Sequence, residues 1–229
     1  MNKFTAIVLA AGSGKRMGQD MPKQYMNVAG KPLMVHCLET FQQSKCTQIV
    51  LVVAPGDIEK CQKEIIERYR ITKCIAIVEG GEERYDSVYA GLKAIDDGYV
   101  LIHDSARAFI SIDIIHRCMS AVALYESCVV GMPTKDTIKV TDDHRKVLDT
   151  PPRNNVWVVQ TPQCFEYNLV RKAYDKIIPQ ADSTITDDAM IVEKATDHDV
   201  HMIEGSYTNI KVTTPEDIAF GEAILRNRK

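Results

Sequence analysis

Short, nearly uninterrupted apolar runs alternate with longer amphipathic segments along this chain, and no other feature restricts its fold as much. Phe4–Ala10, Gln48–Ala54, Cys74–Val78, Tyr99–His103, Cys128–Met132 and Val156–Gln160 have strand length and are predicted as strands. A strand apolar on both faces must be covered on both faces. The intervening Pro32–Gln43, Asp57–Arg70, Arg84–Ile95 and Ile112–Tyr125 are predicted as helices that provide this cover. The alternation therefore implies an α/β architecture, a mostly parallel sheet flanked by helices.

Further on, Glu166–Ile177 and Asp187–Ala195 read as helices, and Val200–Glu204 and Ile210–Val212 as strands. Pro215–Arg226 reads as a closing helix with Thr214 as its N-cap and Pro215 at its first position. A chain of 229 residues suits a single domain, 1–229, of Rossmann-like type. The alternation breaks between Pro133 and Asn155, where a polar stretch has β-branched residues on either side of a turn-like Asp142-Asp143-His144. Ile138, Val140, Val147 and Leu148 in that stretch need a surface to cover. The stretch is expected to be a projecting β-arm, about 133–155, used in dimerisation, because a lone two-stranded hairpin is marginal in water.

Charge excludes some partners. With 28 basic and 31 acidic residues the net charge is −3, so no bulk positive field favours nucleic acid or an anionic membrane. Anionic substrates then need a local basic cluster. The seven cysteines are odd in number and lack C-x-x-C spacing, so reduced core cysteines in a cytoplasmic protein are expected. Lys3 followed by Phe4–Ala11 has the outline of a short secretory h-region, but it runs directly into Gly12-Ser13-Gly14-Lys15-Arg16, and the strand reading is preferred. No apolar run approaches the roughly 20 residues of a membrane span.

The loop Ala10–Gly18 follows the first strand, and in open α/β sheets ligands bind at the carboxyl ends of strands. Its glycines admit close backbone approach to phosphate, and Lys15, Arg16 and Lys23 add positive charge. Taken alone it fits equally a phosphate-binding loop and a turn with solvated basic residues. Two familiar phosphate loops are excluded. Arg16 follows Gly14-Lys15 where a Walker A loop needs Ser or Thr, and Leu9 stands at its first glycine. Met17 occupies the third glycine of the dinucleotide fingerprint, and Glu39 lies inside a predicted helix.

Together, Ala10-Ala11-Gly12-Ser13-Gly14-Lys15-Arg16-Met17 and Pro22-Lys23-Gln24-Tyr25 resemble the sugar-phosphate nucleotidyltransferases, and most of all their 2-C-methyl-D-erythritol 4-phosphate cytidylyltransferase family. The likeness continues through Gly80–Arg84 with Asp86-Ser87-Val88, His103–Arg107, Lys135-Asp136-Thr137, Gln160–Gln163, Thr186–Ala189 and Asn209–Thr213. The resemblance implies transfer of a cytidylyl group from CTP to a sugar-alcohol phosphate, with Mg²⁺ and in a homodimer. It implies Arg16, Lys23 and Lys211 as the catalytic cations, and backbone or side-chain nucleotide contacts from Ala10, Ala11, Gly12, Gly14, Gly81, Glu82 and Ser87. It implies Arg107, Thr137, Arg153 and Thr186 as the holders of the acceptor phosphate. Asp104, at a strand end, suits a metal shared with the triphosphate; read without the resemblance, it equally suits a turn cap.

His103 is expected to be packed rather than ligating, His198 and His201 structural or solvated, and Trp157 part of the core. Ser105, Ala108 and Thr208 depart from the family pattern, and Thr208 stands where a metal-facing carboxylate is frequent. His103-Asp104-Ser105 is also similar to ribitol-5-phosphate cytidylyltransferases, although those usually begin the loop with Ala-Gly-Gly and carry Asn-Thr-Ser where this chain has Tyr85-Asp86-Ser87. A non-catalytic nucleotide-binding module is a further reading, against which the presence of Arg16, Lys23 and Asp104 counts.

Overall fold

The computed structural model describes residues 2–12, 22–180 and 184–227. Gly14 and Arg16, expected to bind nucleotide and to act in catalysis, lie outside the described residues. In chain order the strands are β1 (Phe4–Ala10), β2 (Asn27–Val28), β3 (Lys31–Pro32), β4 (Gln48–Val53), β5 (Cys74–Glu79), β6 (Tyr99–Asp104), β7 (Ser127–Pro133), β8 (Val140–Thr141), β9 (Val147–Asp149), β10 (Trp157–Glu166) and β11 (His201–Glu204). The helices are α1 (Leu33–Gln43), α2 (Ile58–Cys61, continued by wider π turns over Gln62–Glu67), α3 (Arg84–Leu92), α4 (Ile112–Tyr125), α5 (Tyr167–Ile177), α6 (Asp188–Ala195) and α7 (Glu216–Arg226).

Seven strands form one sheet in the order β11-β7-β10-β6-β1-β4-β5. β1 is parallel to both β4 and β6, so the chain leaves β1 on one side and returns on the other. Loops diverge at such a reversal of strand order and leave a crevice at the carboxyl ends. Every residue of β1 is buried, and its side chains alternate between two cores. Ala6, Val8 and Ala10 join the cluster under α1 and α4; Ile7 and Leu9 join the one under α3, α5 and α6. This two-sided burial is what the unbroken apolar run required.

The sheet is mostly parallel, as expected, with one antiparallel member. β10 pairs antiparallel with both β6 and β7, shifts register between Val159 and Gln163, and runs on to Glu166 rather than stopping at Gln160. Ile210–Val212 is not a strand. Val212 donates to the Ala106 carbonyl (2.8 Å), which tethers this segment beside the loop after β6. The N-cap of the last helix is Pro215 rather than Thr214, and no side chain among the described residues caps it; Asp217 in its first turn instead holds the preceding segment, its carboxylate accepting from the N–H groups of Thr213 (2.7 Å) and Thr214 (2.9 Å). Trp157 is half-buried at the foot of the arm and outside the core clusters. All seven cysteines are free thiols, and all but the half-buried Cys74 are buried.

The excursion after β7 contains the expected hairpin, with β8 antiparallel to β9. Asp142 organises its turn by accepting from the N–H groups of His144 (3.0 Å) and Lys146 (2.9 Å). Ile138, Val140, Val147 and Leu148 are exposed.

Candidate functional site

A cleft of about 370 Å³ opens where β1 and β6 end. Its floor is made by Ala10, Ala11 and Gly12 after β1 and by Asp104 with Ser105 after β6. Gly81, Glu82 and Ser87 form a wall, and Lys23 and Lys211 enter from two further segments. Nine residues expected to bind nucleotide, metal or phosphate thus converge from five stretches of chain.

The wall depends on two glycines. A Cβ on Gly80 would lie 2.5 Å from the Ser87 hydroxyl and 2.6 Å from the Ala11 Cβ, and one on Gly81 would lie 2.3 Å from the Asp86 Cβ. With no side chain at 80 the segment can lie directly against the residue that follows β1, and with none at 81 it can fold back on Asp86. The Ser87 hydroxyl accepts from the Gly81 N–H (3.2 Å) and donates to the Glu83 carbonyl (3.3 Å), so it also holds this wall together.

Lys23 begins a single helical turn, Lys23–Tyr25. The adjacent Gln24 is buried and donates to the Ala10 carbonyl (2.7 Å), while Tyr25 donates to Asp57 (2.6 Å). These bonds fasten the turn to β1 and to the start of α2, and Lys23 itself donates to the Val212 carbonyl (3.2 Å).

Asp104 is the electrostatic centre. Arg84 donates to one of its oxygens (3.1 Å) and Lys211 to the other (2.7 Å). Burial alone would raise the Asp104 carboxyl, but the charges of Arg84 and Lys211 outweigh it and hold the group well below the usual carboxylate range. The backbone N–H of Asp104 donates to the Thr161 hydroxyl (3.1 Å), which also pairs with His103 Nδ1 (3.0 Å).

His103 is packed, as expected. It is fully buried, its ring lies edge-on to Phe41, and Nε2 pairs with the Arg107 carbonyl (3.1 Å). Burial lowers its pKa from 6.5 to about 4. The native state therefore takes up this proton later than the unfolded chain, and stability falls as pH drops from about 6.5 to about 4. A shift of this size corresponds to about 3 kcal/mol. Urea unfolding of metal-free protein across this window should show the decline, and His103→Gln should flatten it; an equal slope in the variant would assign the proton elsewhere. Asp104 contributes stability above the ordinary carboxylate pKa that is lost only at lower pH, outside this window.

The residues expected to hold the acceptor do not line this cleft. Arg107 spends its guanidinium on the carbonyls of Asn209 (2.8 Å) and Val159 (3.1 Å), and burial lowers its pKa. Thr137 and Arg153 are exposed on the arm, where Arg153 donates to the Lys135 carbonyl (3.4 Å). Thr186 is exposed just before α6. Thr208 is exposed too, is bonded to Ser206 (2.8 Å) and is not among the residues lining this cleft. Ser105 is buried and donates its N–H to the Leu9 carbonyl (3.0 Å), while Ala108 packs with Phe109 and Val212.

Two functional candidates escaped the sequence reading. Arg84 sits inside a recognised motif, but nothing in the motif says that its side chain turns toward Asp104. Asp188 reads as the first-turn acid of α6, yet it is fully buried and paired with Arg84 through two bonds of 2.8 and 2.9 Å.

Among the described residues, no cluster of three or more His, Cys, Asp or Glu side chains could hold a metal ion. Asp104 alone fits a more modest role. A carboxylate has about four acceptor positions, and the two cations leave some of them available. One protein carboxylate completed by phosphate oxygens and water is a usual environment for Mg²⁺.

Comparisons with known proteins bear on the family and fold of the chain. Residues 4–227 match the family described as 2-C-methyl-D-erythritol 4-phosphate cytidylyltransferase. The chain is 48% identical to the protein of that name from Alkaliphilus oremlandii, over all of this chain and 98% of the relative. It is 46% identical to that from Lachnoclostridium phytofermentans, over all of this chain and 99% of the relative. Among solved structures, 4-diphosphocytidyl-2C-methyl-D-erythritol synthase from Anaerococcus prevotii superposes with a TM-score of 0.87 at 33% identity, covering 98% of this chain and 96% of that one. The Thermus thermophilus cytidylyltransferase superposes with a TM-score of 0.78 at 26% identity, covering 99% of this chain and all of the other. A family match over residues 4–227, close relatives aligned over almost their whole length and a superposition over nearly the whole chain leave one conclusion: the chain belongs to the 2-C-methyl-D-erythritol 4-phosphate cytidylyltransferase family.

Proposed function

We propose that this chain, working as one nucleotidyltransferase domain, joins CTP to 2-C-methyl-D-erythritol 4-phosphate and releases pyrophosphate. The product is 4-diphosphocytidyl-2-C-methyl-D-erythritol, a step in the non-mevalonate route to isoprenoid precursors. The observation that carries this reading is the meeting of Lys23, Lys211 and Asp104 in one cleft at the ends of β1 and β6.

A phosphate oxygen of the acceptor attacks the α-phosphorus of CTP. One P–O bond forms as the bond to the β-phosphate oxygen breaks, and the electron pair leaves with pyrophosphate. Both reactants are anions, so catalysis consists of cancelling repulsion and stabilising charge on the α-phosphoryl oxygens. Lys23 is held by its turn against β1 and offers an ammonium to those oxygens. Lys211 is joined to Asp104 by a single bond on a flexible stem and can transfer to the triphosphate. Asp104 would help to hold Mg²⁺, which when bound supplies positive charge shared between the phosphates. The wall of Gly81, Glu82 and Ser87 faces the same cleft and would take the base and ribose. Arg16 and Gly14 belong to the same reading.

The acceptor site is proposed to be completed by a second copy. Arg153 and Thr137 lie on an arm with exposed apolar residues and do not line their own chain's cleft. In a closed two-fold dimer each arm can reach the other subunit's cleft, adding Arg153 and Thr137 to Arg107 and Thr186 around the acceptor phosphate. Among the described residues no helix is long and apolar enough to cross a membrane, and a cytoplasmic location fits this reading.

The deciding experiment measures pyrophosphate release with each of four nucleoside triphosphates against methylerythritol phosphate and ribitol 5-phosphate. Turnover is expected with CTP and methylerythritol phosphate. Preference for ribitol phosphate would reassign the acceptor, and no turnover with any pair would leave a nucleotide-binding module.

A further inference from the structure

We infer that Arg84 is a positioning residue for this reaction: its guanidinium, seated on the buried Asp188 carboxylate, fixes the Asp104 carboxylate in the cleft and ties it to the segment carrying Thr186. The inference rests on the functional reading above.

Arg84 is the first residue of α3. A cation there faces the positive end of the helix dipole and is disfavoured by the helix itself. Its three placed hydrogen bonds all leave the helix. Nη1 and Nη2 donate to the two oxygens of Asp188, and Nε donates to Asp104. A planar guanidinium grips both oxygens of one carboxylate and reaches a second in a fixed geometry, which an ammonium on a flexible stem does not reproduce.

Asp188 is the fixed end of the chain of contacts. It is fully buried, Tyr174 donates to it (2.6 Å), and its backbone N–H donates to the Gln163 side chain (2.9 Å). Gln163 also accepts from the Ala189 N–H (2.9 Å) and donates to Asp187 (3.0 Å), which caps α6. The start of α6 is thus locked to β10, and Arg84 extends that lock to the end of β6. Lys211, the other cation on Asp104, makes one bond and is the one able to leave when phosphate arrives. With Lys211 gone, Arg84 remains to orient the carboxylate.

Arg84→Lys tests this while keeping a cation opposite Asp188. The thermal midpoint should stay near that of the wild type. At saturating substrates kcat should fall by about 10–100-fold, the usual effect of losing a group that orients a metal-binding side chain. KM for CTP should change by less than kcat. Water-proton relaxation by Mn²⁺ in the complex with CTP should fall toward that of Mn²⁺–CTP in solution. Should the lysine variant not fold, the neutral pair Arg84→Met with Asp188→Asn is read in the same way. A folded variant in which kcat or relaxation stays at the wild-type value overturns the inference, as does a loss carried wholly by KM. Absence of wild-type turnover with CTP and methylerythritol phosphate would instead overturn the functional reading, so the two failures are distinguishable.

Discussion

Replacing Lys23 with alanine is expected to lower kcat by about 10²–10³, with a much smaller change in KM for CTP. The reason is where its charge acts. A cation beside the α-phosphoryl oxygens stabilises charge that grows as the reaction proceeds, so its loss appears in the transition state more than in the bound substrate. Removing one such donor typically costs about 2.7–4 kcal/mol of transition-state stabilisation. The surroundings argue that the fold survives. The turn is held by Gln24 on the Ala10 carbonyl and Tyr25 on Asp57, and neither bond involves the Lys23 side chain. Steady-state kinetics at saturating acceptor, with circular dichroism as the control, decide the matter. Wild-type kcat in a folded variant would remove Lys23 from the mechanism.

The second large effect is expected from mixing two inactive proteins. Lys23→Ala damages the cleft, and Arg153→Ala damages the arm. If arms cross between subunits, each homodimer has two damaged sites. A mixed dimer has one site carrying both changes and one carrying neither, because Lys23 comes from one chain and Arg153 from the other. Co-refolding should raise activity from near background to about half that of a wild-type dimer per mixed dimer, if the sites act independently. If Arg153 serves its own chain, every site remains damaged and mixing restores nothing. The exposure of Ile138, Val140, Val147 and Leu148 on the arm is what motivates the experiment. Mixed dimers shown to form without recovering activity would end the crossing-arm model.

Much of the scaffold was legible in the sequence because its signals are local. Phe4–Ala10 is apolar at every position, and only a strand covered on both faces accepts that pattern; it is the strand observed, with the same bounds. Ile112–Tyr125 is likewise the helix observed. The arm could be read because Asp142-Asp143-His144 is a turn signal between β-branched residues. Failures came where long-range contacts decide. Ile210–Val212 has the composition of a strand, but at its position the available partner is the loop after β6, so it makes one tether rather than a ladder. The strand predicted over Val156–Gln160 does not stop at Gln160, because pairing with β6 and β7 carries it on to Glu166.

The candidate site divides in the same way. Glycines at 80 and 81 and the cations Lys23 and Lys211 could be singled out because motifs record which residue types a phosphate-binding cleft needs. The sequence also determined that an anionic substrate would need a local basic cluster, since the overall charge is negative. It could not determine which charges meet. Arg84, Asp104 and Asp188 are 20 to 104 residues apart along the chain and are joined only because α3 and α6 begin where β6 ends. Tertiary structure alone decided that pairing, for a physical reason: side-chain charges interact over a few ångströms of space, and their separation along the sequence carries no record of that distance.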